Sequence, residues 1–475
     1  MLFNSFQFIV FFAIVYGLYL ILTHRYQNYW LLLASYFFYG SWDWRFLGLM
    51  LFSTVMDYGF GLLIYHAENE ARRKLVLLTS ITVNLAILFT FKYFNFFALS
   101  FNRLLSLFHL DLHPVLIQVI LPLGISFYTF HNLSYIIDVY RGRVTPTRSF
   151  VSFALYVALF PQLIAGPIAR PTHLLPQIEN ARRITYLMIR EGGWLILLGF
   201  FKKVVLADNM IPFIKPVFEN PHTAHGTQIL FSLYAFAFQL YGDFSGYSDI
   251  ARGLSKLMGF ELMLNFHHPY FATNPTEFWK RWHISLSTWL RDYLYIPLGG
   301  SRHGEWQTYR NLLITMLLGG LWHGAAWNFV VWGLFHGAIL AIHRMLKPLS
   351  DAMPINRLPE GHSSRWLWRA LTLIGFFHIT CFSLLIFVVK DLSHVTLLLH
   401  NMFHPFVLNG WTALITILLF AGPLLLMEWA EERTDQMPIV KFWPRPVRFV
   451  CYATVLAMII LCGVVERHEF IYFQF

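Results

Sequence analysis

Apolar stretches about as long as a bilayer is thick recur along the whole of this chain, and no other feature limits its fold so firmly. A helix that crosses the hydrocarbon core needs about 20 predominantly apolar residues. Windows of that kind lie near residues 5–23, 29–41, 46–65, 75–91, 93–109, 115–138, 150–169, 191–207, 226–241, 311–345, 366–389, 411–428 and 447–465. Short or interrupted segments tend to re-enter rather than cross, so roughly ten or eleven crossings are expected. Only 13% of the residues are charged and 57% are hydrophobic, with a mean hydropathy of +0.53. Ordinary soluble domains carry about 25% charged residues, so the composition predicts an all-α polytopic membrane protein. No internal repeat, linker or low-complexity tract divides it, and residues 1–475 read as one integral-membrane domain.

The net charge of +10 arises from 35 Lys and Arg against 25 Asp and Glu. The bases sit in short loops between apolar runs, which is the positive-inside pattern and argues against nucleic acid as a partner. With Arg25, Arg72, Arg73 and Lys74 in the cytoplasm, the N-terminus faces outward. The basic loop 141–148 then also lies inside, and parity requires that one of the three windows between residues 75 and 138, namely 93–109, does not cross. The first window lacks a basic leader and a small-residue cleavage site, so it reads as a retained span. In 150–169, Pro161, Gly166 and Pro167 break the helix. Irregular backbone at membrane depth needs protein or a water-filled cavity to satisfy it, which makes this segment re-entrant and a candidate cavity wall. Cys381, Cys451 and Cys462 form no CxxC and read as small buried hydrophobes.

Two stretches carry chemistry. In "NFHHPYFATNPTEFWKRWHISLSTWLRDYLYIPLGG" (265–300), Asn274, Pro275 and Glu277 suggest a capped helix start. Phe278, Trp282, Leu286, Trp289 and Tyr293 then form an apolar stripe at helical spacing, beside charges at 277, 280, 281, 291 and 292. Together they predict an amphipathic helix lying at the cytoplasmic interface. His283 belongs to neither face and is either a hydrogen-bonded structural histidine or a functional one.

The second stretch, "MLLGGLWHGAAWNFVVWGLFHGA" (316–338), places His323 and His336 in an apolar run. An ionisable side chain at membrane depth is costly and marks a candidate functional site. Gly319, Gly320 and Gly324 give space for close approach, and Trp322 and Trp327 are placed to exclude water. His336 falls about 220° further round an ideal helix, so the two histidines would not share a face. His323 is thus either a packed residue or the reactive group.

In "YGDFSGYSDIARG" (241–253), Asp249 and Arg252 can neutralise each other at i, i+3, at the end of a span. His267 and His268 in "FHHPY" are too isolated in sequence to argue a metal site, and no metal-ligand spacing appears.

These stretches, with "LPLGISFYTFHNLSYIIDVYRG" and "FPQLIAGPIARP", resemble the membrane-bound O-acyltransferases, and within them the branch of bacterial alginate O-acetylases and teichoic-acid D-alanyl transferases. The resemblance runs through residues 1–345, with its motif core at about 120–345; the helices of 366–475 are less covered. It implies a ring of about 10–11 tilted helices, with re-entrant and interfacial ones, around a central tunnel. It also implies that His323 is the catalytic histidine and His283 the second family histidine. Trp322, Trp327, Asn328, Asp243 and Ser245 are then candidate substrate-binding residues.

The implied reaction moves an acyl group from a cytoplasmic thioester such as acetyl-CoA to a hydroxyl of an exported polysaccharide, directly or through a periplasmic SGNH-type partner. The implied location is the bacterial inner membrane, with no permanently bound cofactor and no metal. His323 acts as base, since desolvation disfavours its cation, and His283 bonds the acyl carbonyl or orients the donor. One departure stands at Phe387-Val388-Val389-Lys390, where the pattern has Phe-Arg-Ala; it leaves the choice of acceptor and partner open. The alternatives are transfer of D-alanine or a longer acyl group, or a transporter, for which inverted repeats would be the mark.

Overall fold

The computed structural model describes residues 1–110, 113–357, 362–464, 466, 468 and 470. Among these the regular structure is helical throughout. The helices are α1 (Phe6–Ile21), α2 (His24–Asp43), α3 (Arg45–His66), α4 (Glu70–Leu88), α5 (Phe94–Ser106), α6 (Ile125–Tyr140), α7 (Phe150–Ala158), α8 (Pro171–Glu179), α9 (Tyr186–Phe200) and α10 (Ile211–Glu219). There follow α11 (Thr227–Leu257), α12 (Pro275–Arg281), α13 (Ile284–Leu290), α14 (Glu305–His323), α15 (Trp327–Ala352), α16 (Ser363–Val388), α17 (Ser393–Phe403), α18 (Trp411–Thr434) and α19 (Arg445–Cys462). They gather into two compact units, Met1–Ile196 with Ser248–Met263, and Leu197–Tyr247 with Leu264–Phe475.

Among the described residues, six helical runs are long and apolar enough to cross a membrane: Arg45–His66, Glu70–Ser106, Trp327–Ala352, Ser363–Val388, Trp411–Thr434 and Arg445–Cys462. The chain is a multi-pass membrane protein. Other apolar windows take different forms. Windows 75–91 and 93–109 join through a π-helical turn at Phe89–Tyr93 into one run of 37 residues. Of 115–138, only the part from Ile125 is helical. Window 311–345 divides into α14 and α15.

In the first unit, polar groups within the helices find one another. Asp57 on α3 accepts from Ser80 Oγ (2.6 Å) and Asn84 Nδ2 (2.8 Å) on α4, all three buried. A buried carboxylate bonded in this way is satisfied where no water reaches it. Arg73 donates to Tyr140 O (2.9 Å), and the Tyr140 hydroxyl donates to Glu70 (2.7 Å). The basic loops at 68–74 and 141–148 therefore lie at the same end of this unit. Two helical runs lie between them, Glu70–Ser106, in which windows 75–91 and 93–109 are fused, and α6.

The interrupted segment 150–169 is helical only to Ala158, and residues 159–169 are buried without regular structure. Its backbone is satisfied by neighbouring protein groups. Gln162 Nε2 donates to Tyr156 O (3.0 Å), Ala169 N to His131 Nε2 (3.2 Å) and the Tyr156 hydroxyl to Ala169 O (3.3 Å). Of the two ways to keep broken backbone at depth, this segment uses protein contact rather than a cavity wall. Asp249 and Arg252 form the anticipated pair, at 3.5 Å. They lie well inside α11, which continues to Leu257, so the "YGDFSGYSDIARG" motif is mid-helix and not at the end of a span.

In the second unit, Lys203 stands in a π-helical turn (Phe201–Ala207), with its ammonium 3.0 Å from Asp208 and 2.7 Å from Asp243. The three side chains are 1–3% exposed. Helix α19 has no buried residue and exposes Ile460 (71%) and Leu461 (82%), a face suited to lipid. Of the cysteines only Cys381 is buried; Cys451 and Cys462 are half-buried on α19.

Candidate active site

The predicted amphipathic interface helix is two short helices with a break, and its apolar stripe faces protein. Asn274 caps α12 by accepting from Glu277 N (2.9 Å), while the Glu277 carboxylate accepts from Thr273 N (2.9 Å). This is a capping box displaced by one residue, with Pro275 at the first turn. The helix ends at Arg281, and His283 takes a left-handed backbone (φ 44°, ψ 53°) before α13 begins. Phe278, Trp282, Leu286 and Trp289 are all buried. A left-handed non-glycine residue persists only where its surroundings hold it. Here they are supplied by Asn265, whose backbone carbonyl accepts from Ile284 N (2.8 Å). Its side-chain oxygen accepts from Ser285 Oγ (2.8 Å) and Ser285 N (3.3 Å) and meets His283 Nδ1 at 3.1 Å.

That contact fixes the chemistry of His283. A backbone N–H donates to the same Asn265 atom, so this atom is the amide oxygen, and Nδ1 must carry the proton. Burial, with His323 nearby, holds the His283 imidazole well below its ordinary pKa. In this neutral tautomer Nε2 is an acceptor. The anticipated bond from His283 to an acyl carbonyl is thereby corrected, because a lone pair cannot donate. What His283 can do is accept a proton or orient a donor group.

His323 is the last residue of α14 and is 6% exposed. Its ring meets Trp322 and Trp332 at 5.1 Å and Phe387 at 5.5 Å, and Trp322 also packs edge-on to His283 at 5.7 Å. The chain turns at Gly324–Ala326 and returns as α15. That turn overturns the expectation that His323 and His336 face apart, which assumed one continuous helix. Both line one narrow cavity of about 10 Å³, room for about one water molecule, together with Leu240, Tyr270, Phe278, Trp282, Trp332, Thr380, Ser383, Leu384 and Phe387.

The glycines serve packing and not ligand space. A Cβ on Gly320 would lie 2.2 Å from Phe329 O, and one on Gly324 would lie 2.2 Å from the Phe329 ring. Close passage of α14 past α15 takes up the space that Gly320 and Gly324 give.

The remaining candidates separate in the same way. Trp322 is buried against both histidines, whereas Trp327 is 51% exposed and leaves the shielding of His323 to Trp332 and Phe387. Asn328 donates to Phe387 O (2.9 Å) and so fixes the end of α16 against the site. Its role is to position Phe387, the residue that opens the departing Phe-Val-Val-Lys stretch. The Asp243 carboxylate is engaged by Lys203 and does not line the cavity. Ser245 is buried on α11, also away from the cavity lining.

Glu432 of α18 joins His267 and His268, ligand atoms within 4.8 Å of one another, a grouping that sequence distance concealed. Arg281 engages Glu432 through both its oxygens (2.7 and 2.8 Å), and His268 Nε2 meets Glu431 at 2.8 Å, so these groups form an ion-pair network.

Residues 36–389 match the membrane-bound O-acyltransferase family. The chain belongs to that family. Among its relatives, a probable alginate O-acetylase of Azotobacter vinelandii is 47% identical over 375 residues, 78% of this chain and 73% of that protein. A probable alginate O-acetylase of Pseudomonas putida is 48% identical over 73% of this chain and 71% of its own length. A peptidoglycan O-acetyltransferase of Helicobacter pylori is 40% identical over 66% and 64% respectively. This membrane-bound O-acyltransferase is an enzyme that transfers an acyl group to oxygen.

Proposed function

We propose that this enzyme takes an acetyl group from acetyl-CoA on the cytoplasmic face of the bacterial inner membrane and passes it to a hydroxyl on the outer side. The final acceptor is an envelope or exported polysaccharide of the alginate kind, reached directly or through a periplasmic SGNH-type partner that relays the group. One observation carries this reading: His323 stands at a helix end, buried, on the wall of a narrow aromatic cavity. Acyl transfer to a hydroxyl needs a base within reach of that hydroxyl. His323 fills that role, and His283, locked by Asn265, orients the reacting groups.

Among the described residues, the cavity lining contains no Asp, Glu, Lys or Arg. A D-alanyl group carries an ammonium whose burial without a partner is costly, so the lining favours acetyl. Membrane vesicles turned inside out test the proposal: labelled acetyl-CoA supplied outside them should place label on an acceptor enclosed within. Transfer of labelled D-alanine instead, or label arriving only from donor sealed inside, would contradict it.

The proposed orientation has a periplasmic N-terminus with the loops at 68–74 and 141–148 in the cytoplasm, as their bases require. A Val144→Cys protein should resist an impermeant thiol reagent in whole cells and react after permeabilisation. Ready labelling of intact cells would reverse the topology.

A further inference from the structure

Acyl transfer needs, besides a base, a donor for the oxygen that becomes negative. His323, acting as base, presents a lone pair, and the His283 tautomer does the same. The hydroxyls on the cavity wall donate elsewhere: Tyr270 to Ala237 O (2.6 Å), Thr380 to Phe376 O (3.0 Å) and Ser383 to Thr380 O (2.7 Å).

Two nitrogen groups on the same wall differ from these. Trp332 and His336 are 5% and 2% exposed, and neither Trp332 Nε1 nor either ring nitrogen of His336 has a hydrogen-bond partner among the described residues. They stand one turn apart on α15, on one face, with ring centroids 4.6 Å apart. The indole is a donor only, and a neutral imidazole always carries one N–H. Buried polar groups left unpaired are rare, and each calls for an explanation. Two of them side by side, next to a base, have a natural one.

Resting on the acetyl-transfer reading above, we infer that Trp332 and His336 together form the oxyanion-binding donors of this enzyme. The acceptor oxygen attacks the thioester carbonyl carbon while His323 takes the hydroxyl proton. The carbonyl electron pair moves to oxygen, where the Trp332 and His336 N–H groups hold it. Collapse re-forms C=O and breaks the C–S bond, and the leaving thiolate takes the proton from His323. The products are an ester and a thiol.

The test uses the full chain in lipid nanodiscs with acetyl-CoA as donor, following release of the CoA thiol. Trp332→Phe and His336→Phe keep an aromatic ring in place and remove only the donor. Each should lower kcat by about 10²–10³-fold, the usual effect of losing one oxyanion donor, with KM for acetyl-CoA within a few-fold of wild type. His336→Gln keeps an N–H and should retain at least tenfold more turnover than His336→Phe. Because Phe removes an unpaired polar group, the melting temperature of His336→Phe should equal or exceed wild type. Turnover within threefold of wild type in either Phe variant, with His323→Gln inactive, would refute the donors and leave the acyl-transfer reading intact. A His336→Phe protein that melts below wild type would also refute the inference, since the imidazole would then serve the fold. Full turnover in His323→Gln would instead remove the reading on which the inference rests.

Discussion

Lys203→Met is expected to destabilise the protein by about 3–5 kcal/mol, the usual cost of stripping one partner from a buried ion pair. The Lys203 ammonium lies 3.0 Å from Asp208 and 2.7 Å from Asp243, and all three groups are nearly sealed from solvent. Removing it leaves two carboxylates facing each other in a low-dielectric interior without the cation they share. The measurement is the melting temperature in detergent, together with the amount of protein in the membrane. A triple variant, Lys203→Met with Asp208→Asn and Asp243→Asn, removes all three charges and should recover much of the loss, because a neutral cluster carries no uncompensated ion. If Asp243 served to bind substrate, Lys203→Met would leave the fold unchanged, and that result would return Asp243 to the candidate site.

What the residues disclosed, and what they withheld, follows from the range of the forces involved. Apolar windows and caps are local, so the helical class, the capping of α12 by Asn274 and Glu277, and the Asp249–Arg252 pair were readable along the chain. The break at His283 was not, because it depends on Asn265, eighteen residues away, bonding to three successive residues. A left-handed histidine carries none of the glycine or proline signals of a turn. The same limit hid the shared cavity of His323 and His336: thirteen residues along one helix set them on different faces, and the turn at Gly324–Ala326 makes two helices. Glycine was ambiguous in kind. Gly320 and Gly324 permit close approach, and sequence alone could not say whether a ligand or a neighbouring helix would use it. Lys203 gives no sequence signal of burial: a base beside an apolar run marks loop orientation, whereas this one is buried against two carboxylates.

His323→Gln is expected to abolish transfer while leaving the fold in place. Glutamine approximates the size and hydrogen-bonding reach of histidine and fits beside Trp322, Trp332 and Phe387, which surround the ring at 5.1–5.5 Å. It cannot accept a proton near neutral pH, and base catalysis by a positioned side chain contributes typically 10²–10⁴-fold. The deciding measurement is polymer-bound acetate in cells expressing wild type or His323→Gln at matched membrane levels. Acetate at least a hundredfold below wild type, from a protein that melts normally, is the predicted result. Near-normal acetate from His323→Gln would contradict His323 as the base and with it the mechanism.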